Sequence, residues 1–159
     1  MVEVVGGDVV AHTKQGEVFA GPQVIARILS LGPDSDWQSL VAEVEQRIQQ
    51  LDARRYPYMA VVLGATKATV LRRARKADRA LQELRQWIDF GKRQGIDPLT
   101  NEVVNLYRGL LIDSSRWAEC VQVMDNGAPA PAVAVSRASH FMAAAACHAG
   151  VKSARALTD

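Results

Sequence analysis

The sequence predicts a helix-rich α+β fold, in which a small N-terminal antiparallel β-hairpin or sheet and one further strand pack against five to six helices. Short β-branched runs separated by turn residues fill residues 1–20. Apolar residues recur at helical intervals over most of the remaining chain. One continuous apolar run, residues 58–63, interrupts that helical pattern. With 159 residues, 48% of them hydrophobic, the chain has the size and composition of one globular domain.

The first segments are read as strands because β-branched residues alternate with turn signals. The runs VEVV, VVAHT and VFA are separated by Gly6-Gly7-Asp8 and by a turn around Gly16. Gly21-Pro22 then predicts the start of a short helix that ends at Gly32-Pro33. A longer helix follows, with apolar residues at helical spacing from Trp37 to Leu51.

The run YMAVVLG is interpreted as a buried strand that ends at Gly64. A strand that turns into a helix at a glycine can place backbone N–H groups around an anion, so a small-phosphate pocket is one hypothesis for this turn. The segment lacks the Gly-Lys-Ser/Thr ending of a P-loop and the dinucleotide pattern GxGxxG. A phosphate-handling enzyme built around this turn is therefore kept as a third functional hypothesis, behind a protein-binding and a nucleic-acid-binding role.

A long helix is predicted over residues 66–93, because Val70, Ala74, Ala77, Leu81, Leu84 and Ile88 follow a heptad spacing. Gly95 can end this helix. Asp97-Pro98 and Ser115 predict the starts of two further helices. The domain boundaries predicted from composition are a globular α+β domain over 1–126, an Ala/Pro linker over 127–135, and a C-terminal helix with a frayed tail over 136–159.

Positive charge is concentrated near the start of the long helix. The net charge of the chain is +2, whereas residues 67–79 carry +5, so the remaining residues sum to −3. The pattern predicts contact with nucleic acid or with an acidic partner, and an ordinary solvated helix face stays open as the alternative. The lack of aromatic residues between Lys67 and Arg85 argues against a single-strand reader and leaves duplex phosphates as a target. The residues predicted to make the contact are Lys67, Arg72, Arg73, Arg75, Lys76 and Arg79.

The apolar seam of the same helix predicts a protein interface. Trp87 and Phe90 lie off the seam beside Arg85 and Lys92, as an aromatic and arginine cluster at an interface would. Packing of these two rings beneath the run 58–63 is the competing interpretation. The residues predicted to form the interface are Leu81, Leu84, Trp87, Ile88 and Phe90.

Cysteine and histidine residues are too sparse to indicate a metal or catalytic site. The two cysteines, Cys120 and Cys147, are expected to be buried thiols, and no cofactor or metal is predicted. His140 and His148 do not have the i, i+4 spacing of a metal-binding helix. We expect no membrane span or secretory signal, and a cytoplasmic protein or one assembled into a particle.

From these observations we expect a non-enzymatic assembly or accessory factor that acts through protein–protein contacts. Its partner would be another protein or a second copy in a homodimer, and a phage or viral structural component fits this description. The alternative is a nucleic-acid-binding module, for RNA or DNA, that uses the basic face of the 66–93 helix. We expect neither a membrane partner nor a small-molecule substrate.

Overall fold

The computed structural model describes residues 2–5, 8–13, 16–20, 35–125 and 134–156, with side chains placed for 35–124 except Pro98 and for 142–156. The helices are α1 (Trp37–Gln50), α2 (Pro57–Arg73), α3 (Ala77–Gln94), α4 (Asp97–Asp113), α5 (Trp117–Asp125) and α6 (Ala134–Ala156). At the N-terminus, the backbone forms three short antiparallel strands, β1 (Val2–Val5), β2 (Asp8–Thr13) and β3 (Gly16–Ala20), in the order β1-β2-β3.

The predicted α+β class is wrong. Residues 35–124 and 142–156, whose side chains are described, form helices and the turns between them and contain no strand or sheet. The core formed by these residues is therefore helical, and the predicted hairpin and further strand packed against helices do not account for it. The helix predicted over 22–31 and most of the linker predicted over 127–135 lie outside the described residues.

The further strand predicted at 58–63 is the first part of helix α2, which begins at Pro57 and continues to Arg73. The run has no alternation because α2 packs against both α1 and α3, so that ten of its seventeen residues are buried. A short apolar run alone cannot distinguish a buried strand from a helix that is covered on several sides. Consequently the predicted turn at Gly64 does not exist, and the glycine lies in the middle of a helix.

The predicted 66–93 helix is in fact two helices joined by a tight turn. The N–H of Lys76 donates to the carbonyl of Leu71 at 2.9 Å, and that of Arg75 donates to Arg72 at 3.0 Å. Arg75 has φ of 59° at the position where helix ends favour a left-handed residue. These bonds end α2 and reverse the direction of the chain. The residues with heptad spacing are therefore divided between the two helices of one helical hairpin.

Helix starts recur every twenty residues along the chain. In each of the described helices α1–α5 the fourth residue is buried. The second, third and fourth turns of this series also place a left-handed residue two positions before the next helix, namely Arg75, Gly95 and Ser115. The helices start at Trp37, Pro57, Ala77, Asp97 and Trp117, and the buried fourth residues are Leu40, Ala60, Ala80, Thr100 and Cys120.

Two compact units divide the chain, Met1–Thr100 and Asn101–Asp159. In the first unit a core cluster joins Leu51 and Tyr56, beside the start of α2, to Met59, Ala60 and Leu63 within it. Trp87 and Phe90 of α3 pack against that cluster. In the second unit, α5 and α6 pack together and are joined by a disulfide between Cys120 and Cys147.

Candidate functional site

Five exposed basic side chains surround the turn between α2 and α3. Residues 72–79 carry these five positive charges and one negative charge, Asp78, which gives a net +4 over eight residues. The connection spans only residues 74–76 and is held by the two backbone bonds described above. We call this segment the basic turn; its exposed basic residues are Arg72, Arg73, Arg75, Lys76 and Arg79.

Helix dipoles favour only part of this charge. Arg72 and Arg73 occupy the last turn of α2, where the partial negative charge of the helix end favours cations. Lys76 and Arg79 lie at the start of α3, where the partial positive charge opposes them and favours Asp78. An anion bound at the turn would offset this unfavourable placement.

Lys67, predicted as part of the same basic group, lies elsewhere. Its side chain is buried, and its ammonium donates to Glu83 Oε1 at 2.5 Å and pairs with Glu45 Oε1 at 2.7 Å. These carboxylates belong to α3 and α1, so one ammonium joins three helices of the first unit. We therefore leave Lys67 out of the basic turn.

The two carboxylates keep the buried ammonium charged. Burial alone would lower the pKa of Lys67, but the hydrogen bonds and charges of Glu45 and Glu83 outweigh burial and raise it above its ordinary value. The hydrogen bond from Lys67 is the main cause that lowers the pKa of Glu45; burial opposes it, and the charges of Lys67 and Arg79 add to it. The three side chains form a structural ion triad that joins α1, α2 and α3.

Glu83 also positions Trp87. The indole Nε1 of Trp87 lies 3.4 Å from Glu83 Oε2, and the ring meets Phe90 edge-on with centroids 5.5 Å apart. On the opposite helix, the indole fills the space over Gly64. Gly64 and Lys67 thus present one face of α2 to Glu83 and Trp87 of α3.

The predicted interface residues lie largely inside the first unit. Leu81, Leu84 and Ile88 are buried, with side chains 2%, 3% and 8% exposed. Trp87 and Phe90 are half-buried against the core cluster, in agreement with the competing interpretation that they pack beneath residues 58–63. The apolar seam is therefore used to join α2 and α3 within one chain.

In the second unit, a buried arginine is the polar feature that sequence reasoning missed. The guanidinium of Arg108 donates to the Asn105 side chain and, from Nη1, to the sulfur of Met124 at 3.1 Å. Burial lowers the pKa of Arg108. Its position follows buried Val104 by four residues, and helical phase alone could have indicated that Arg108 faces inward.

An open groove of about 490 Å³ runs beside the start of α5 and the end of α6. Its charged lining includes Arg116 and Glu119, whose side chains pair with each other at 2.6 Å. Among the described residues, no group of three or more His, Cys, Asp or Glu side chains could hold a metal ion. No helix in that part of the chain is long and apolar enough to cross a bilayer.

Comparisons with protein-family models, with curated proteins and with solved structures gave no match to this chain.

Proposed function

We propose that this protein is a non-enzymatic binding protein whose basic turn contacts the phosphate backbone of a nucleic-acid duplex. The observation that carries the proposal is the exposure of five basic side chains on a short, backbone-bonded turn with one acidic neighbour. We place this activity in the cytoplasm or in an assembled particle, where nucleic acid is an abundant polyanion.

A duplex is favoured over a single strand by the composition of the turn. Residues 68–86 contain no aromatic side chain on which an unpaired base could stack. Arginine and lysine alone suffice for phosphate contacts, which are independent of sequence and weaken as salt rises. We therefore expect low sequence preference and a strong dependence on ionic strength.

Neutralising the basic turn should abolish most duplex binding. In the variant Arg72→Gln, Arg73→Gln, Lys76→Gln, Arg79→Gln, we expect affinity to fall at least about tenfold at low salt. The slope of log affinity against log salt should shrink by up to about 3.6, since each lost phosphate contact removes about 0.9. Fluorescence anisotropy with a labelled 20-base-pair duplex at several salt concentrations measures both.

The matched control removes the same number of exposed positive charges elsewhere, through Arg54→Gln, Lys92→Gln, Arg93→Gln and Lys152→Gln. Both variants have the same net charge, so a general charge effect would weaken them equally. Retained binding in the control with loss in the basic-turn variant supports the proposal. Equal loss in both, or no binding by the unmodified protein at low salt, contradicts it.

The second candidate is an assembly or accessory role through protein–protein contacts, including that of a phage or viral structural component. The apolar residues of α3 that were candidates for this interface, Leu81, Leu84 and Ile88, are buried within the first unit. This candidate is supported instead by exposed apolar side chains in the second unit. Met142 is 72% exposed and Leu106 is 42% exposed, and methionine is enriched among the residues of protein interfaces.

If these side chains contact a second copy, Met142→Ser and Leu106→Ser should each shift a dimer toward monomer. The expected change is about tenfold in dissociation constant, because each removes part of a buried apolar contact. Light scattering coupled to size exclusion, at low and high salt, measures the mass. A monomer at all concentrations before mutation would set the homodimer aside.

A further inference from the structure

We propose that the Cys120–Cys147 disulfide is a reversible clasp that fastens α6 to α5, so that thiol oxidation sets the order of the C-terminal helix. The sequence predicts two buried thiols; in the structure both cysteines are buried but bonded to each other. Their Cα atoms lie 5.7 Å apart, within the range that a disulfide spans, and 27 residues separate them. This inference does not depend on the proposed duplex binding.

Over residues 142–156, few side chains of α6 are buried. Among its side chains described over residues 142–156, Cys147 alone is buried, and the last five residues are all exposed. Three residues later, Gly150 lies close against the ring of Trp117, where a Cβ would clash. Residues three apart share a helix face, so Cys147 and Gly150 present the same face of α6 to α5.

The disulfide adds a covalent link between α5 and α6. A disulfide that closes a loop of this length restricts the unfolded chain and thereby favours the docked helix. Over residues 142–156 only Cys147 is buried, so few buried apolar side chains hold this part of α6 once the bond is broken, which is the condition for local opening at low free-energy cost.

The redox step is a thiol–disulfide exchange. A dithiol reductant supplies two electrons and two protons, the Cys120–Cys147 bond becomes two thiols, and the reductant becomes a disulfide. Oxidation by a low-molecular-weight disulfide runs the reverse exchange. Because both cysteines are fully buried, either reagent has to wait for α6 to open, so the rate of reduction should follow the rate of opening.

Hydrogen exchange on the full chain tests the clasp. The protein is oxidised with a low-molecular-weight disulfide, or reduced with a dithiol, and amide exchange is followed by mass spectrometry. We expect exchange in residues 142–156 to be at least tenfold faster after reduction, with exchange in α2 unchanged. The variant Cys120→Ala, Cys147→Ala should exchange like the reduced protein under both treatments.

Two results would overturn the proposal. One is equal exchange in α6 for the oxidised and reduced protein. The other is two titratable thiols in oxidant-treated protein after denaturation, which would show that the bond does not form. The affinity of the oxidised and of the reduced protein for the duplex is measured in parallel. If neither form binds the duplex, the proposed contact at the basic turn is contradicted, and the hydrogen-exchange result still decides whether the disulfide holds α6.

Discussion

Lys67→Met is expected to lower the free energy of unfolding by about 2–3 kcal/mol. The substitution leaves Glu45 and Glu83 near each other without their shared cation, and breaking a buried ion pair in this way costs about 3–5 kcal/mol. We expect a smaller loss than this because the Glu45 side chain is 41% exposed and water screens it. Urea denaturation at neutral pH measures the change.

Lys92→Met is the matched control, because Lys92 is exposed near the end of α3 and should change stability by no more than about 0.5 kcal/mol. Lys67→Met combined with Glu83→Gln should recover part of the loss, since one of the two uncompensated charges is then removed. Equal stability of Lys67→Met and the unmodified protein would refute the triad as a source of stability.

The same triad predicts how stability depends on pH. The folded-state pKa of Glu45 is lowered from 4.5, so its contribution is present above about pH 4.5 and is lost as pH falls through the folded value. The folded-state pKa of Lys67 is raised from 10.5, so its contribution is present below about pH 10.5 and is lost as pH rises through the folded value. The stability difference between the unmodified protein and Lys67→Met should be widest between these limits. A difference that does not narrow in acid would contradict this assignment.

The sequence identified helices where one face is apolar and the other polar. Helix α1 begins at Trp37, where the predicted apolar spacing begins. Gly95, the residue predicted to end the long helix, is the C-cap of helix α3. The sequence pattern did not identify α2 as a helix. A helix covered by neighbours on several sides loses the 3.6-residue apolar periodicity that distinguishes it from a strand. Nor could the sequence pattern indicate the break at residues 74–76, since Arg75 takes the left-handed conformation without the glycine that usually signals it.

For the candidate site, the sequence correctly indicated a concentration of positive charge but could not sort its members. Lys67 looks like its basic neighbours until its partners are known, and those partners lie 22 residues before it and 16 after it on other helices. The twenty-residue spacing of helix starts is visible in the structure, where buried residues recur at the same position of each helix. The sequence does not show it, because the residue types at these buried positions range from leucine to threonine. Side-chain identity alone does not show such a pattern.

Gly64→Ala should lower the free energy of unfolding by about 1–2 kcal/mol, because overpacking near the upper end of its usual range outweighs the gain of about 1 kcal/mol from alanine as the better helix former. A Cβ at Gly64 would stand 2.1 Å from the indole Nε1 of Trp87. The indole cannot simply move away, because Phe90 packs against it and Glu83 lies beside its N–H. Overpacking of this kind typically costs about 1–3 kcal/mol.

Gly109 supplies the matched control for this prediction, because a Cβ there meets nothing within 4 Å. Gly109→Ala should therefore raise stability by about 0.5–1 kcal/mol through helix propensity alone. Gly64→Ala combined with Trp87→Leu should recover part of the loss, and the double-mutant cycle in urea gives the coupling between the two sites. If Gly64→Ala proved as stable as Gly109→Ala, α2 and α3 would not be packed with the indole of Trp87 over Gly64.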